Sequence, residues 1–351
     1  MKVAIDVSPL SSGHKVRGVG FYLKHLKGAL EIAKDSIDFQ FFNSLKEVTN
    51  ADIIHFPYFD PFSRVVSPHP SIPTVVTIHD LTPIKFASHF PAGVKGRINW
   101  QLNKRASNRF SGIITDSESS KNDIIKYLSY PKDKISVVYL AAGEEFTPKR
   151  LSEKRRAELV EKYHLPLKFA LYVGDVTWNK NLPRLIQACS SKDIPLVMVG
   201  KALAQKDYDQ NHPWNKDLIT SQKLIASSKH IMALGFVEDL DLIDLYRLAT
   251  VFVMPSLYEG FGLPIIEAMQ SGLPVVTTKE GSLPEVGGEA VYFVDANSEE
   301  SIVEGISEVF NSTQLQKDLS QKGLEQAKKF SWKKTAEETV SVYKSITSHE
   351  R

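Results

Sequence analysis

The sequence predicts an α/β protein with two domains, each built on a doubly wound parallel sheet. Three observations carry this expectation. At 351 residues the chain is longer than one hydrophobic core usually fills. Short apolar strands alternate with amphipathic helices along its length, which is the pattern of βαβ units with right-handed crossovers. Many of the strands are solid runs of Val, Ile, Leu and Phe, as expected of strands covered by helices on both faces.

In the first half the pattern predicts strands at 3–7, 38–42, 53–55, 74–79, 112–115 and 135–139, with helices at 19–34, 93–110 and 119–128. In the second half it predicts strands at 169–174, 196–200, 231–235, 251–255, 274–278 and 291–294, with helices at 182–191, 240–248 and 264–270. The tail from Ser301 onward reads as helix. The break falls in 147–166, a charged stretch bracketed by Pro148 and Pro166 with no strand pattern, read as a loop and surface helix bridging the halves. The expected division is 1–150, 151–330 and a terminal helix 331–351. In open parallel sheets ligands lie beyond the carboxyl ends of the strands. Asp6, His55, His79, Asp80, Asp116, Gly174 and Glu259 fall there, so two such edges facing a cleft could enclose one ligand.

Composition narrows the class. Hydrophobic content of 42% and charged content of 24% are ordinary for a globular domain, and a net charge of +2 excludes nucleic-acid binding driven by bulk charge. The single cysteine, Cys189, rules out an intramolecular disulfide and lies in an apolar helical pattern, as a small core residue would. Asp6 comes too early for a signal-peptide apolar stretch, and no uncharged apolar run approaches the ~18 residues of a membrane span. The expected location is the cytoplasm. Between Leu81 and Thr115 there is no Asp or Glu, but six basic residues (Lys85, Lys95, Arg97, Lys104, Arg105, Arg109) are interleaved with Phe86, Phe90, Trp100 and Phe110. Such a segment suits peripheral contact with the inner face of an anionic membrane or a phosphorylated acceptor; an ordinary solvated helix with Trp100 in the core would read the same way.

The strongest chemical signal is Glu259-Gly260-Phe261-Gly262-Leu263-Pro264-Ile265-Ile266-Glu267. A buried strand runs into a loop carrying Glu259. Two glycines let backbone N–H groups approach a ligand, and Pro264 sits where a helix starts and its missing N–H costs nothing. A helix N-terminus there favours a diphosphate. Carboxylates accept bonds from vicinal hydroxyls, so Glu267 suits a ribose and Glu259 a sugar. Either glutamate alone is explained by the helix dipole; the nine-residue pattern is not. It resembles the E-x7-E motif of the family-four retaining glycosyltransferases, as do the surrounding residues 245–277 and Ser282-Leu283-Pro284-Glu285-Val286. The resemblance extends over nearly the whole chain, more weakly in residues 30–70.

That family implies the GT-B fold, two Rossmann-like domains facing a cleft with the last helix, 330–339 onward, returning to the first domain. It implies transfer of a hexose from a nucleoside diphosphate sugar to a glycan or lipid-linked acceptor, with retention and without a required metal or cofactor. Lys180, in Asn179-Lys180-Asn181-Leu182 beyond the strand ending at Gly174, matches the family's phosphate-binding lysine and is placed to stabilise charge developing on a leaving diphosphate. Relatives often carry arginine after the glycine matching Gly174. Asp175 stands here, and Arg184 is the candidate to compensate. Backbone near Gly235, Phe236 and Val237 is expected at the base by analogy with the family. Gly18 and Gly20 resemble its G-x-G-x-Y segment; a dinucleotide fingerprint would need a third glycine where Leu23 stands. The stretch from His79 to Pro91 resembles relatives in which this histidine lines the donor-sugar site, and it suggests mannosyltransferases and GDP-mannose. Asp80, Asp116 and Glu118 are candidates for the acceptor, although N-capping accounts for the 116–119 segment equally well. Asp239 and Asp241 form a D-x-D triplet that N-capping also explains, so no metal site is assigned. The alternatives are a nucleotide-sugar epimerase on the same fold and a non-catalytic nucleotide-sugar-binding protein.

Overall fold

A computed structural model describes residues 1–11, 18–32, 37–69 and 71–349. Packing divides the chain into one unit of Met1–Ala141 with Phe330–Arg351 and a second of Ala142–Lys329.

The first unit contains β1 (Lys2–Asp6), α1 (Gly18–Ile32), β2 (Asp38–Phe42), β3 (Ile53–Phe56), β4 (Thr74–Thr77), α2 (Thr82–Lys85), α3 (Gly93–Ser107), β5 (Gly112–Thr115), α4 (Glu118–Leu128) and β6 (Ile135–Val137). Its six strands are parallel in the order β2-β1-β3-β4-β5-β6. In the second unit α5 (Glu153–Tyr163) precedes β7 (Ala170–Val173), α6 (Leu182–Ser191), β8 (Leu196–Val199), α7 (Lys216–Ser227), β9 (Ile231–Gly235) and α8 (Asp239–Leu248). There follow β10 (Val251–Met254), α9 (Leu263–Gln270), β11 (Val275–Thr278), α10 (Leu283–Gly287), β12 (Tyr292–Val294), α11 (Glu299–Asn311) and α12 (Thr313–Ala327). This sheet is also parallel, ordered β12-β11-β10-β7-β8-β9. The last helix, α13 (Trp332–His349), packs on α1 within the first unit. The chain thus has the two-domain α/β fold of GT-B proteins.

The solid apolar strands are buried throughout: β3, β4, β5, β8, β10 and β11 expose no residue. Cys189 lies fully buried in the second core, as its apolar context predicts. Several strands are shorter than their apolar runs. The run at 74–79 stops pairing at Thr77, although Ile78 N–H still bonds the Ile114 carbonyl and the Thr115 hydroxyl donates to the Ile78 carbonyl. His79 is thereby released just past the sheet. The helix expected to reach residue 110 ends at Ser107, and that expected to begin at 19 begins at Gly18; its residues 33–34 lie outside the described residues, as does Arg17.

Packing draws the division differently from the expected one. Residues 142–149 pack with the second unit, because Gln270 donates to the carbonyls of Gly143 and Phe146, and Arg247 to those of Glu145 and Thr147. Helix α5, read as a surface helix in the bridging stretch and counted with 151–330, is bound to that same unit through Arg155, which pairs with Asp241 and Asp244 of α8. This also displaces the capping explanation of Asp241: α8 is preceded by Glu238, which makes no side-chain cap, and Asp241 is held by Arg155, Lys162 and Tyr163. Among the described residues no His/Cys/Asp/Glu cluster could hold a metal, and no helix is long and apolar enough to cross a membrane.

Candidate active site

In the second sheet the strand order reverses between β7 and β10, which makes their carboxyl ends the natural binding crevice. Lys180 follows β7 and Glu259 follows β10. Both oxygens of Glu259 accept from Lys180 Nζ at 2.8 Å, and Oε1 also accepts from the Ser256 hydroxyl at 2.6 Å. A single turn, Trp178–Lys180, delivers the lysine, and Asn181 ends it in the left-handed region at φ 59°. Asn179 donates to the Tyr258 carbonyl and Asn181 to those of Pro255 and Ala296, while Leu257 N–H bonds the Asn179 carbonyl. Two loops from neighbouring strands are thus stapled into one rigid bed. Arg184 spends its guanidinium on Asn181 Oδ1 and the Ala296 carbonyl, which tightens this staple. Asp175 is turned outward and exposed, its backbone carbonyl taken by the Tyr172 hydroxyl, while Gly174 packs so closely on that hydroxyl that a Cβ would meet it at 2.6 Å.

The glycine-rich segment opens α9 as its pattern predicts. Gly262 adopts φ 97°, Pro264 is in the first turn, and Glu259, Gly260, Phe261 and Gly262 are buried while Leu263 is half-buried. The segment resembling the family at 282–286 proves to be its support. Ser282 Oγ donates to the carbonyls of Glu259 and Phe261, and Ser282 N–H to that of Glu259. Gly281, not singled out by the sequence, has φ 61°, and a Cβ there would collide with the Glu259 carbonyl oxygen. Gly281→Ala is therefore expected to push the Glu259 loop off its bed. Stability should fall by about 1–3 kcal/mol, and nucleotides should no longer raise the unfolding temperature. Calorimetry with and without nucleotide tests this, and a wild-type response would show that the loop yields.

Glu267, one turn into α9, accepts from the Tyr246 hydroxyl at 2.7 Å. Burial pushes its carboxyl up to about 7, with the Tyr246 bond opposing and the Glu145 carboxylate reinforcing the rise. At the end of β9, Gly235 has φ 71°, Phe236 is 59% exposed and Val237 is buried. An exposed aromatic ring is thus offered at the end of β9.

In the first unit His79 Nδ1 lies 2.7 Å from Asp116 Oδ2. Burial opposes the charged imidazolium, but the Asp116 carboxylate, with smaller help from Asp80 and the Pro57 carbonyl, outweighs it, and the histidine is shifted upward. Among the described residues, His79 Nε2 and Asp116 Oδ1 have no well-formed hydrogen bond. Asp116, expected at the acceptor, is buried behind His79, which its bond orients. Asp80 accepts from the N–H of Thr82, the first residue of α2. Ser117, rather than Asp116 or Glu118, caps α4, leaving Glu118 exposed in its first turn. Gly18 is exposed at the start of α1, where a Cβ would meet no described atom within 4 Å, and Gly20 is buried. His55, placed at the sheet edge by the sequence, is instead wholly inside the core between Tyr343 and Thr77.

Two family models match the chain: Glycosyltransferase Family 4 over residues 17–142 and Glycosyl transferases group 1 over residues 153–326. The chain is 32% identical over 288 residues to the O-antigen chain mannosyltransferase B of Escherichia coli, covering 79% of this chain and 71% of that protein. It is 31% identical to the serotype-specific mannosyltransferase WbdA of Escherichia coli over 75% of this chain but 32% of that protein, so it spans about a third of that relative's length. Among solved structures, HepE of Anabaena in complex with UDP and glucose has a TM-score of 0.72 at 19% identity, covering 97% of this chain and 98% of that one. That likeness carries the fold.

Proposed function

We propose, given that this chain belongs to glycosyltransferase family 4 and is a nucleotide-sugar glycosyltransferase, that it moves a hexose to a glycan or lipid-linked acceptor with retention of anomeric configuration. The observation that carries the reading is the Lys180–Glu259 pair, clamped at the reversal point of the second sheet beside the glycine-rich start of α9. Glu267 accepts the ribose hydroxyls, the α9 N-terminus and Lys180 take the diphosphate, and Glu259 takes the sugar. His79, held by Asp116, supplies a hydrogen bond or positive charge to the transferred sugar. The acceptor oxygen bonds to the anomeric carbon as the carbon–oxygen bond to phosphate breaks. The nucleoside diphosphate leaves with that electron pair, and the acceptor's proton passes to a phosphate oxygen. The positive charge this needs is assigned to Lys180, with no cofactor. The named relatives are mannosyltransferases, which supports GDP-mannose as donor. An epimerase or a non-catalytic binding protein on this fold is not favoured by them.

A thermal-shift screen against UDP, GDP, ADP, TDP and NAD tests the donor site. GDP alone should stabilise, by about 2.7 kcal/mol at a hundredfold excess over Kd. A response to NAD alone, or to no diphosphate, overturns the reading.

We also place the protein in the cytoplasm, touching the inner face of the membrane through residues 81–115. On α3 Val94 and Ile98, one turn apart, are 72% and 56% exposed, and Lys95, Arg97 and Arg105 are exposed around them, while Trp100 packs against the first core. Vesicles containing phosphatidylglycerol should pellet the protein and phosphatidylcholine vesicles should not. Equal pelleting of a Val94→Asp/Ile98→Asp variant would remove α3 from the contact.

A further inference from the structure

A buried line of hydrogen-bonding side chains crosses the first unit. Tyr343 Oη of α13 lies 2.6 Å from His55 Nδ1 on β3, His55 Nε2 lies 2.8 Å from Thr77 Oγ1 on β4, and Thr77 Oγ1 lies 3.2 Å from Tyr22 Oη on α1. None of the four side chains is more than 1% exposed. Burial, with the charge of His79 acting the same way, drives the His55 imidazolium down to about 3. His55 is therefore the neutral ring, with one N–H and one lone pair. One hydroxyl neighbour must donate to it while the other accepts.

The line ends beside the candidate site. The Tyr22 hydroxyl is on Thr77, and its ring meets that of His79 edge-on with 4.8 Å between centres. Thr77 and His79 are two residues apart, at the end of β4 and just beyond it. The His79 ring is thus held by Asp116 at Nδ1 and flanked by Tyr22 at its side, with the Pro57 carbonyl also acting on it. Trp332 of α13 lies 6.2 Å from the Tyr22 ring, so the last helix holds the same tyrosine from a second direction.

We propose that His55 and Tyr343 are positioning residues for His79. The buried line sets Tyr22, and Tyr22 is the wall that sets the plane of the His79 ring, so the C-terminal helix takes part in catalysis without touching substrate. The proposal rests on the reading of His79 as the group that acts on the transferred sugar. A fully satisfied buried network specifies geometry, and removing both partners of a bond together can leave stability nearly unchanged. Positioning can therefore be separated from mere support.

The test compares His55→Leu/Tyr343→Phe, in which Thr77 keeps Tyr22 as a partner, with Tyr343→Phe and His55→Gln. The readouts are kcat, donor KM, unfolding temperature and the ¹⁵N resonances of the His79 ring. The double variant should fold, keep its donor KM, lose kcat by ~10-fold and shift the His79 resonances. His55→Gln, whose amide offers both a donor and an acceptor, should recover part of kcat. Wild-type kcat with unmoved resonances in a folded double variant overturns the proposal. If the double variant does not fold, Tyr343→Phe decides on the same readouts. If the wild type transfers no sugar, the glycosyltransferase reading fails separately, and the resonances alone decide whether the line orients His79.

Discussion

Lys180→Ala is expected to lower kcat by ~10²–10³-fold, the effect of removing one preorganised group aimed at developing charge. Loss should fall on kcat more than on donor KM, since the charge on the leaving diphosphate grows toward the transition state. The structure adds a second consequence. Glu259 is buried, and its two oxygens share Lys180 and Ser256. Without the lysine one carboxylate is left with a single hydroxyl partner, which should cost about 1–3 kcal/mol of stability. Adding Glu259→Gln should restore the unfolding temperature and leave kcat low. Lys180→Arg keeps the charge but exchanges a compact ammonium for a planar fork, so partial activity is expected. Steady-state kinetics beside thermal unfolding separates the two effects. Wild-type kcat in the alanine variant would detach Lys180 from the chemistry.

Glu267→Gln should weaken nucleotide recognition while making the free protein more stable at alkaline pH. The carboxyl is pushed from an ordinary 4.5 to about 7, chiefly by burial. Between those values the folded state keeps a proton that the unfolded state has released, so stability falls as pH rises through the window. Above pH 7 the wild type carries the full penalty, about 1–3 kcal/mol given that the residue is half-buried. A neutral glutamine keeps the Tyr246 bond and escapes the penalty. Its unfolding temperature should exceed that of wild type at pH 8 and match it near pH 5. Nucleotide affinity should fall ~10–100-fold in the variant, the loss of charged hydrogen bonds to two hydroxyls. In the wild type it should weaken as pH drops below 7. Isothermal titration at pH 6 and pH 8 checks this, and a pH-independent affinity would remove Glu267 from the ribose.

The parts of the candidate site were legible to unequal degrees. Glu259, the two glycines and Glu267 were plain because a nine-residue loop and helix start is a local pattern. Lys180 was visible through its place after a strand. Gly281 and Ser282 were not assigned as support because their work is on a loop twenty residues earlier, and nothing local marks it. Asp116 was left between an acceptor candidate and a helix cap, and its burial behind His79 was not legible because it depends on how β4 and β5 lie side by side.

The sequence by itself determined the two parallel sheets, the approximate bounds of their strands and the glycine-rich helix start, because periodicity, burial on both faces and turn chemistry act within a few residues. Only the tertiary structure decided which groups meet. Lys180 and Glu259 are 79 residues apart and His55 and Tyr343 288 apart. Such pairs are set by strand order, which brings the carboxyl ends of neighbouring strands together, and by the docking of α13 on α1. The free energy of those arrangements lies in the packing of whole elements, so no short stretch of sequence records it.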